Sequence, residues 1–114
     1  MRLNCLLPFS LFFVSCVFLG GTARGQTVVQ LTLKDHHFIP DHVEVPAGQR
    51  FFIELENLDD TTDEFESFDM KFEKIIVPGG KSRVHTGPLH PGTYTFFDDY
   101  HPDQARGTVT AVEK

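Results

Sequence analysis

Thiols are nearly missing from this chain. Of its 114 residues only Cys5 and Cys16 carry one, and both stand near the N-terminus. Serine is almost as scarce from residue 26 onward, where only Ser67 and Ser82 remain and neither lies inside a G-x-S-x-G turn. Cysteine-nucleophile and serine-triad chemistry are therefore excluded for that part of the chain, because each needs an activated thiolate or hydroxyl in such a setting. Basic residues are few beside acids: ten Lys and Arg face sixteen Asp and Glu, a formal net charge of −6. This balance repels phosphate backbones and anionic headgroups and favours cations. Long apolar runs are absent apart from residues 6–19, where Pro8, Ser10 and Ser15 interrupt a stretch too short and too broken to span a bilayer.

That stretch reads as an export label instead. Arg2 precedes it, and Gly20-Gly21-Thr22-Ala23-Arg24-Gly25 follows. A basic start, a short apolar segment and an A-x-G exit describe a secretory signal peptide over 1–25, cleaved after Gly25. A lipid anchor at Cys16 fits less well, since Phe13-Val14-Ser15 makes a poor lipobox and more apolar sequence follows. Cleavage leaves one domain over 26–114, 89 residues long, with eight bases against sixteen acids and no cysteine. The expected product is periplasmic and not inserted in the membrane, without disulfides in a compartment that allows them.

A domain of this size buries only about two-thirds of its unfolded surface. Without a disulfide its packing has to be regular, and the sequence supplies period-two alternation. Val29, Leu31 and Leu33 alternate with Gln30, Thr32 and Lys34, and the pattern continues through Val43 and Val45 to Pro46-Ala47-Gly48. Phe51, Ile53 and Leu55 alternate with Phe52, Glu54 and Glu56 as far as Asn57. Ile75-Ile76-Val77, a short piece over 82–86, Thr93-Tyr94-Thr95-Phe96-Phe97 and a last strand over 108–112 follow, separated by Gly/Pro turns. With no helical period, the chain predicts an all-β, antiparallel sandwich or barrel.

One segment, 59–73, escapes that rhythm. Seven acids there (Asp59, Asp60, Asp63, Glu64, Glu66, Asp69, Glu73) face a single base, Lys71. A solvated acidic loop is the ordinary explanation of such a cluster. Phe65, Phe68, Met70 and Phe72 are interleaved with the acids, however, so part of the segment has to be packed. Carboxylates held in place on a thiol-free, anionic domain suit a hard cation.

The run Pro91-Gly92-x-Tyr94-x-Phe96-x-Asp98-x-x-His101, followed by Gly107 and Val109, resembles the C-terminal end of a cupredoxin. That family runs P-G-x-Y-x-F-x-C-x-x-H before a methionine and a glycine that leads into the last strand. On this resemblance Asp98 stands where the copper-binding cysteine would be, and Gln104, Ala105 and Arg106 precede Gly107 where the methionine would be. Glu66 stands in for the first histidine, expected after the strand that ends at Asn57. Three of the four blue-copper ligands are then missing, which removes a Cu-thiolate electron-transfer centre. Phe38-x-Pro40, Val45-Pro46-Ala47-Gly48, Glu64-Phe65-Glu66-Ser67, Glu73-Lys74, Gly87-Pro88-Leu89 and Pro91-Gly92-Thr93-Tyr94 further resemble the cupredoxin-like proteins of bacterial ferrous-iron uptake. Those include the N-terminal domain of EfeO-type proteins and the stand-alone cupredoxin of four-component ferrous transporters. Phe72 stands where an arginine often precedes the Glu-Lys pair. The resemblance implies a Greek-key β-sandwich with copper and/or iron bound, and a part in oxidising Fe²⁺ before uptake. It also implies a membrane iron permease and a periplasmic iron-binding protein as partners.

The metal-ligand candidates follow from this frame. Asp98 and His101 are spaced as the C-x-x-H ligands are, on a strand whose Tyr94 and Phe96 point to the same side as Asp98. Glu64 and Glu66, with Phe65 between them, share one face of an extended segment, so either can reach the site. Glu73 is included because the resemblance to the iron-uptake proteins implies a role for the Glu-Lys pair; the competing reading is a surface ion pair with Lys71 or Lys74. Asp99 is an outer ligand or a source of negative potential. Met70 reads first as a core gap-filler and second as a thioether ligand. His36 and His37 are adjacent, so on a strand at most one of them serves the same site; His37 is carried as the candidate.

Overall fold

The computed structural model describes residues 25–113, so the expected leader over 1–25 lies, apart from Gly25, outside the described residues. The alternation becomes nine strands among the described residues: β1 Thr27–Lys34, β2 His37–Ile39, β3 His42–Pro46, β4 Phe51–Asn57, β5 Asp63–Ser67, β6 Phe72–Ile76, β7 Lys81–Thr86, β8 Gly92–Asp98 and β9 Arg106–Val112. They form two sheets, ordered β2-β1-β4-β7 and β3-β9-β8-β5-β6. The all-β sandwich expected from the sequence is therefore present.

The sheets are mixed rather than purely antiparallel. β1 pairs with β4 and β3 pairs with β9 in parallel, while the other pairs are antiparallel. The cause is topological: after β2 the chain crosses to the second sheet to lay down β3, then returns as β4 beside β1 without reversing direction. Segment 59–73 also differs from its expected irregularity, for it forms the β5–β6 hairpin with Glu66 opposite Glu73. Its alternation is hard to see because two of the inward positions, Asp63 and Ser67, are polar beside Phe65.

Val29, Leu31 and Leu33 of β1 and Phe51, Ile53 and Leu55 of β4 face Val45, Phe65, Ile76, Phe96 and Val109 of the other sheet across one core. Phe96 is its hub, with its ring 4.9 Å from Phe38 and 5.5 Å from Phe65, both close to edge-on. Gly107 allows this contact. A Cβ there would collide with the Phe96 ring and sit 2.8 Å from the Asp41 carbonyl oxygen. Gly107→Ala should accordingly destabilise the fold by about 1–3 kcal/mol through overpacking. Denaturant unfolding checks this, and a change within about 0.5 kcal/mol would show that the ring moves aside freely.

Asn57 ends β4 and shapes the loop that follows. It is fully buried. Its Nδ2 donates to the carbonyls of Thr61 at 2.9 Å and Ile76 at 3.1 Å, and its Oδ1 accepts from the Asp59 N–H at 2.9 Å. Through this latch β4 positions Asp59 and the start of β5 at one end of the sandwich.

Candidate metal centre

The end of β8, the start of β5 and the β1–β2 turn converge beside Asn57. Asp98 is 0% exposed. Its Oδ1 accepts from the backbone N–H groups of Glu64 at 3.1 Å and Tyr100 at 3.0 Å, which leaves Oδ2 directed at His101 Nδ1, 3.2 Å away. The 98–105 loop closes on itself, with the His101 N–H donating to the Asp98 carbonyl and the Asp98 N–H to the Ala105 carbonyl, each at 3.0 Å. That closure turns His101 back over the strand end. Asp63, 1% exposed, places Oδ1 3.1 Å from the same His101 Nδ1. His36 lies above them, its ring stacked on that of His101 with centroids 3.8 Å apart. Donor atoms of His36, Asp63, Asp98 and His101 all lie within 4.8 Å of one another.

Two buried carboxyl groups and one imidazole share this space. Burial first, then the hydrogen bond and charge of Asp98, push Asp63 from 3.8 up to about 6, with His101 opposing the shift. The hydrogen bond with Asp98 raises His101, against desolvation, with the charges of Asp98 and Asp63 adding to the rise.

A second group occupies the opposite face of β5. Carboxylate oxygens of Glu64, Glu66 and Asp99 lie within 4.8 Å of one another, and Glu73 stands across the hairpin from Glu66. Among the described residues no Lys or Arg pairs with these four. A hydrogen bond shared with Glu73 is the main cause that raises Glu64 from 4.5 to about 7, followed by burial and the charges of Glu73, Glu66 and Asp99. Glu66 is raised as well, by burial and then by the charges of Glu73 and Asp99.

The residues expected to share one site thus divide between the two sides of β5. Asp98 and His101 belong to the inner group; Glu64, Glu66, Glu73 and Asp99 belong to the outer one. Met70 is part of the core, with its N–H donating to Ser67 Oγ at 2.9 Å. His37 is exposed and its Nδ1 contacts the Asp35 carbonyl oxygen at 2.9 Å. Two inner residues were not carried as candidates. Asp63 could have been found by extending the alternation back from Phe65; His36 could not, because nothing in the sequence fixes the turn that aims it.

The fold and its histidine-carboxylate strand end define a class: a small two-sheet β-sandwich with nitrogen and oxygen donors gathered at one end. The chain belongs to the family described as the Cupredoxin-like domain, which matches residues 5–111. It is 43% identical over 81 residues to "Uncharacterized protein RP394" of Rickettsia prowazekii (strain Madrid E), an alignment that takes in 71% of this chain and 65% of that protein. It superimposes on auracyanin A, a "blue" copper protein of Chloroflexus aurantiacus, with TM-score 0.68 and 14% identity over 77% of this chain and 100% of the other. The Cu-containing nitrite reductase of Thermus scotoductus SA-01 aligns with TM-score 0.61 and 20% identity over 81% of this chain and 24% of the other. At these identities the two structural likenesses are likenesses of fold. The chain spans 65% of the length of the curated relative that it matches.

Proposed function

We propose that this chain is a periplasmic, metal-binding cupredoxin-like component of ferrous-iron import, which binds copper and assists the oxidation of Fe²⁺ before uptake. Its partners in this reading are a membrane iron permease and a periplasmic iron-binding protein. The observation that carries the reading is the pair of buried carboxylates, Asp63 and Asp98, set against His101 Nδ1 at 3.1 and 3.2 Å. Copper in the names of auracyanin A and the nitrite reductase supports the choice of metal.

A thiolate-bound copper does not fit these residues, because Asp98 occupies the strand end where the resemblance expects cysteine. Nitrogen and oxygen donors fit Cu²⁺, which ranks above the other first-row divalent ions for almost any such set. Bound copper would supply a one-electron couple. The chain's own part is to fix the donors: two backbone N–H groups hold Asp98 Oδ1, and the closed 98–105 loop holds His101. The outer acids draw the substrate Fe²⁺ to the neighbouring face, since each nearby anion stabilises Fe³⁺ more than Fe²⁺. In this reading the added dioxygen is the oxidant: each Fe²⁺ gives up one electron, and O₂ takes up those electrons together with protons.

The test is to add Fe²⁺ anaerobically to residues 26–114, then oxygen, with and without Cu²⁺, following absorbance and oxygen uptake. Copper-dependent acceleration of both Fe²⁺ oxidation and oxygen uptake is expected. Copper binding with unchanged oxidation would leave a copper carrier, and no metal-dependent shift in Tm would leave an interaction domain. The copper-loaded form should also lack an intense visible thiolate-to-copper band, since residues 26–114 contain no cysteine. A strong band of that kind would refute the ligand set.

A further inference from the structure

We propose that His36, carried on the β1–β2 turn, completes a closed two-histidine, two-aspartate site with Asp63, Asp98 and His101. The site would take a first-row divalent ion, with Cu²⁺ heading the affinity order. This rests on the metal-binding reading above and names a ligand from a part of the chain that the cupredoxin C-terminal motif does not reach.

The argument begins with the turn. Lys34 pairs with His37, so Asp35 and His36 form a two-residue connection, with φ of 53° and 59°. Positive φ at both central residues is type I′ geometry, for which asparagine and glycine are the favoured residues. A histidine held there needs support, and Asp59 gives it by accepting from the backbone N–H groups of Asp35 at 2.5 Å and His36 at 3.0 Å. Asp59 is in turn held by the Asn57 latch. The arrangement lays the His36 ring on His101 and buries its Nδ1.

That nitrogen has no hydrogen-bond partner. The Asp59 Oδ2 atom is 3.4 Å away without hydrogen-bond geometry. A buried polar atom left unpaired carries a desolvation cost that a ligand would remove. Donors bound to one ion at about 2 Å lie up to about 4 Å apart, and these four lie within 4.8 Å of one another. Two carboxylates match the charge of a divalent ion, and two imidazoles select for a borderline metal over Mg²⁺ or Ca²⁺.

His36→Asn tests the assignment, because asparagine tolerates positive φ and keeps the turn while removing the imidazole. Residues 26–114 are titrated with Cu²⁺ by calorimetry, and the loaded protein is studied by electron paramagnetic resonance. Wild type should show coupling to two imidazole nitrogens. H36N should show one, with affinity lower by about tenfold or more and a metal-free Tm no lower than that of wild type; His37→Asn should match wild type. A two-nitrogen spectrum in H36N overturns the inference, even if its affinity falls, since the loss would then come from the fold. Equal affinity in H36N and wild type, with His101→Ala impaired, overturns this inference alone. Failure of wild type to bind Cu²⁺ overturns it together with the function proposed above.

Discussion

Replacing Asp63 with asparagine should make the metal-free protein more stable at pH 7.5 and, in the same variant, weaken Cu²⁺ binding by about tenfold or more. Asparagine keeps the shape, and its carbonyl oxygen can still accept from His101 Nδ1. What disappears is a charge that the fold holds at a disadvantage. Asp63 is 1% exposed, and burial, followed by the hydrogen bond and charge of Asp98, raises it from 3.8 to about 6. At about 1.4 kcal/mol per pKa unit, ionising it in the native state costs on the order of 2–3 kcal/mol. For a domain of this size that corresponds to a Tm rise of at least about 5 °C in the variant. Calorimetric melting and Cu²⁺ titration read both effects. A Tm that falls would show that the carboxylate stabilises the metal-free fold and would remove the basis of the prediction.

The same groups set the pH dependence. An acid raised in the native state keeps its proton more readily there than in the unfolded chain, so its contribution to stability is full below the unfolded value and is lost as pH rises through the folded one. For Asp63 that window runs from 3.8 to about 6, and for Glu64 from 4.5 to about 7. Glu66 is shifted in the same direction. His101, raised from 6.5, contributes fully below that value and less as pH passes its higher folded value. All four act alike, so the metal-free Tm should decline from pH 5 to pH 8, and less steeply in Asp63→Asn. Cu²⁺ competes with protons for these atoms, so its affinity should rise over the same range.

The sheets could be read from the sequence wherever inward positions were apolar, as in β1 and β4. The β5–β6 hairpin escaped because Asp63 and Ser67 occupy inward positions, which an apolar-polar alternation treats as breaks. Asp98 and His101 stood out through the Tyr94 and Phe96 frame, whose in-out order the structure keeps. Separation of the carboxylates into two groups was not legible: Glu64 and Glu66 could be placed on one face of an extended segment, but which face met Asp98 depends on the pairing of Phe65 with Asp98. His36 depended on a turn type that asparagine or glycine would have announced and that Asp-His does not. Parallel pairing of β1 with β4 is likewise a matter of how the chain crosses between sheets, which no local pattern encodes.

The two faces of β5 lead to the last expected result: Glu66→Gln combined with Glu73→Gln should slow Fe²⁺ oxidation by about tenfold, roughly 1.4 kcal/mol in the barrier, while Cu²⁺ affinity changes much less. Glutamine keeps the length of the side chain and one acceptor oxygen but removes the anion. Glu66 and Glu73 face each other across the hairpin, and their charges act on Glu64 from outside the strand. Asp63 and His101 lie on the other face, with the β5 backbone between. Removing two of the four outer acids should therefore lower the hold on Fe²⁺ and the preference for Fe³⁺ without touching the donors proposed for copper. In the metal-free protein the double variant should also bring Glu64 back toward its ordinary value, because its largest perturbation, the hydrogen bond with Glu73, loses its acidic partner. Stopped-flow oxidation beside Cu²⁺ calorimetry on the same variant decides the matter. Equal losses for both metals would mean that the two faces act as one site, and no loss for either would reduce the outer acids to a solvated face of the hairpin.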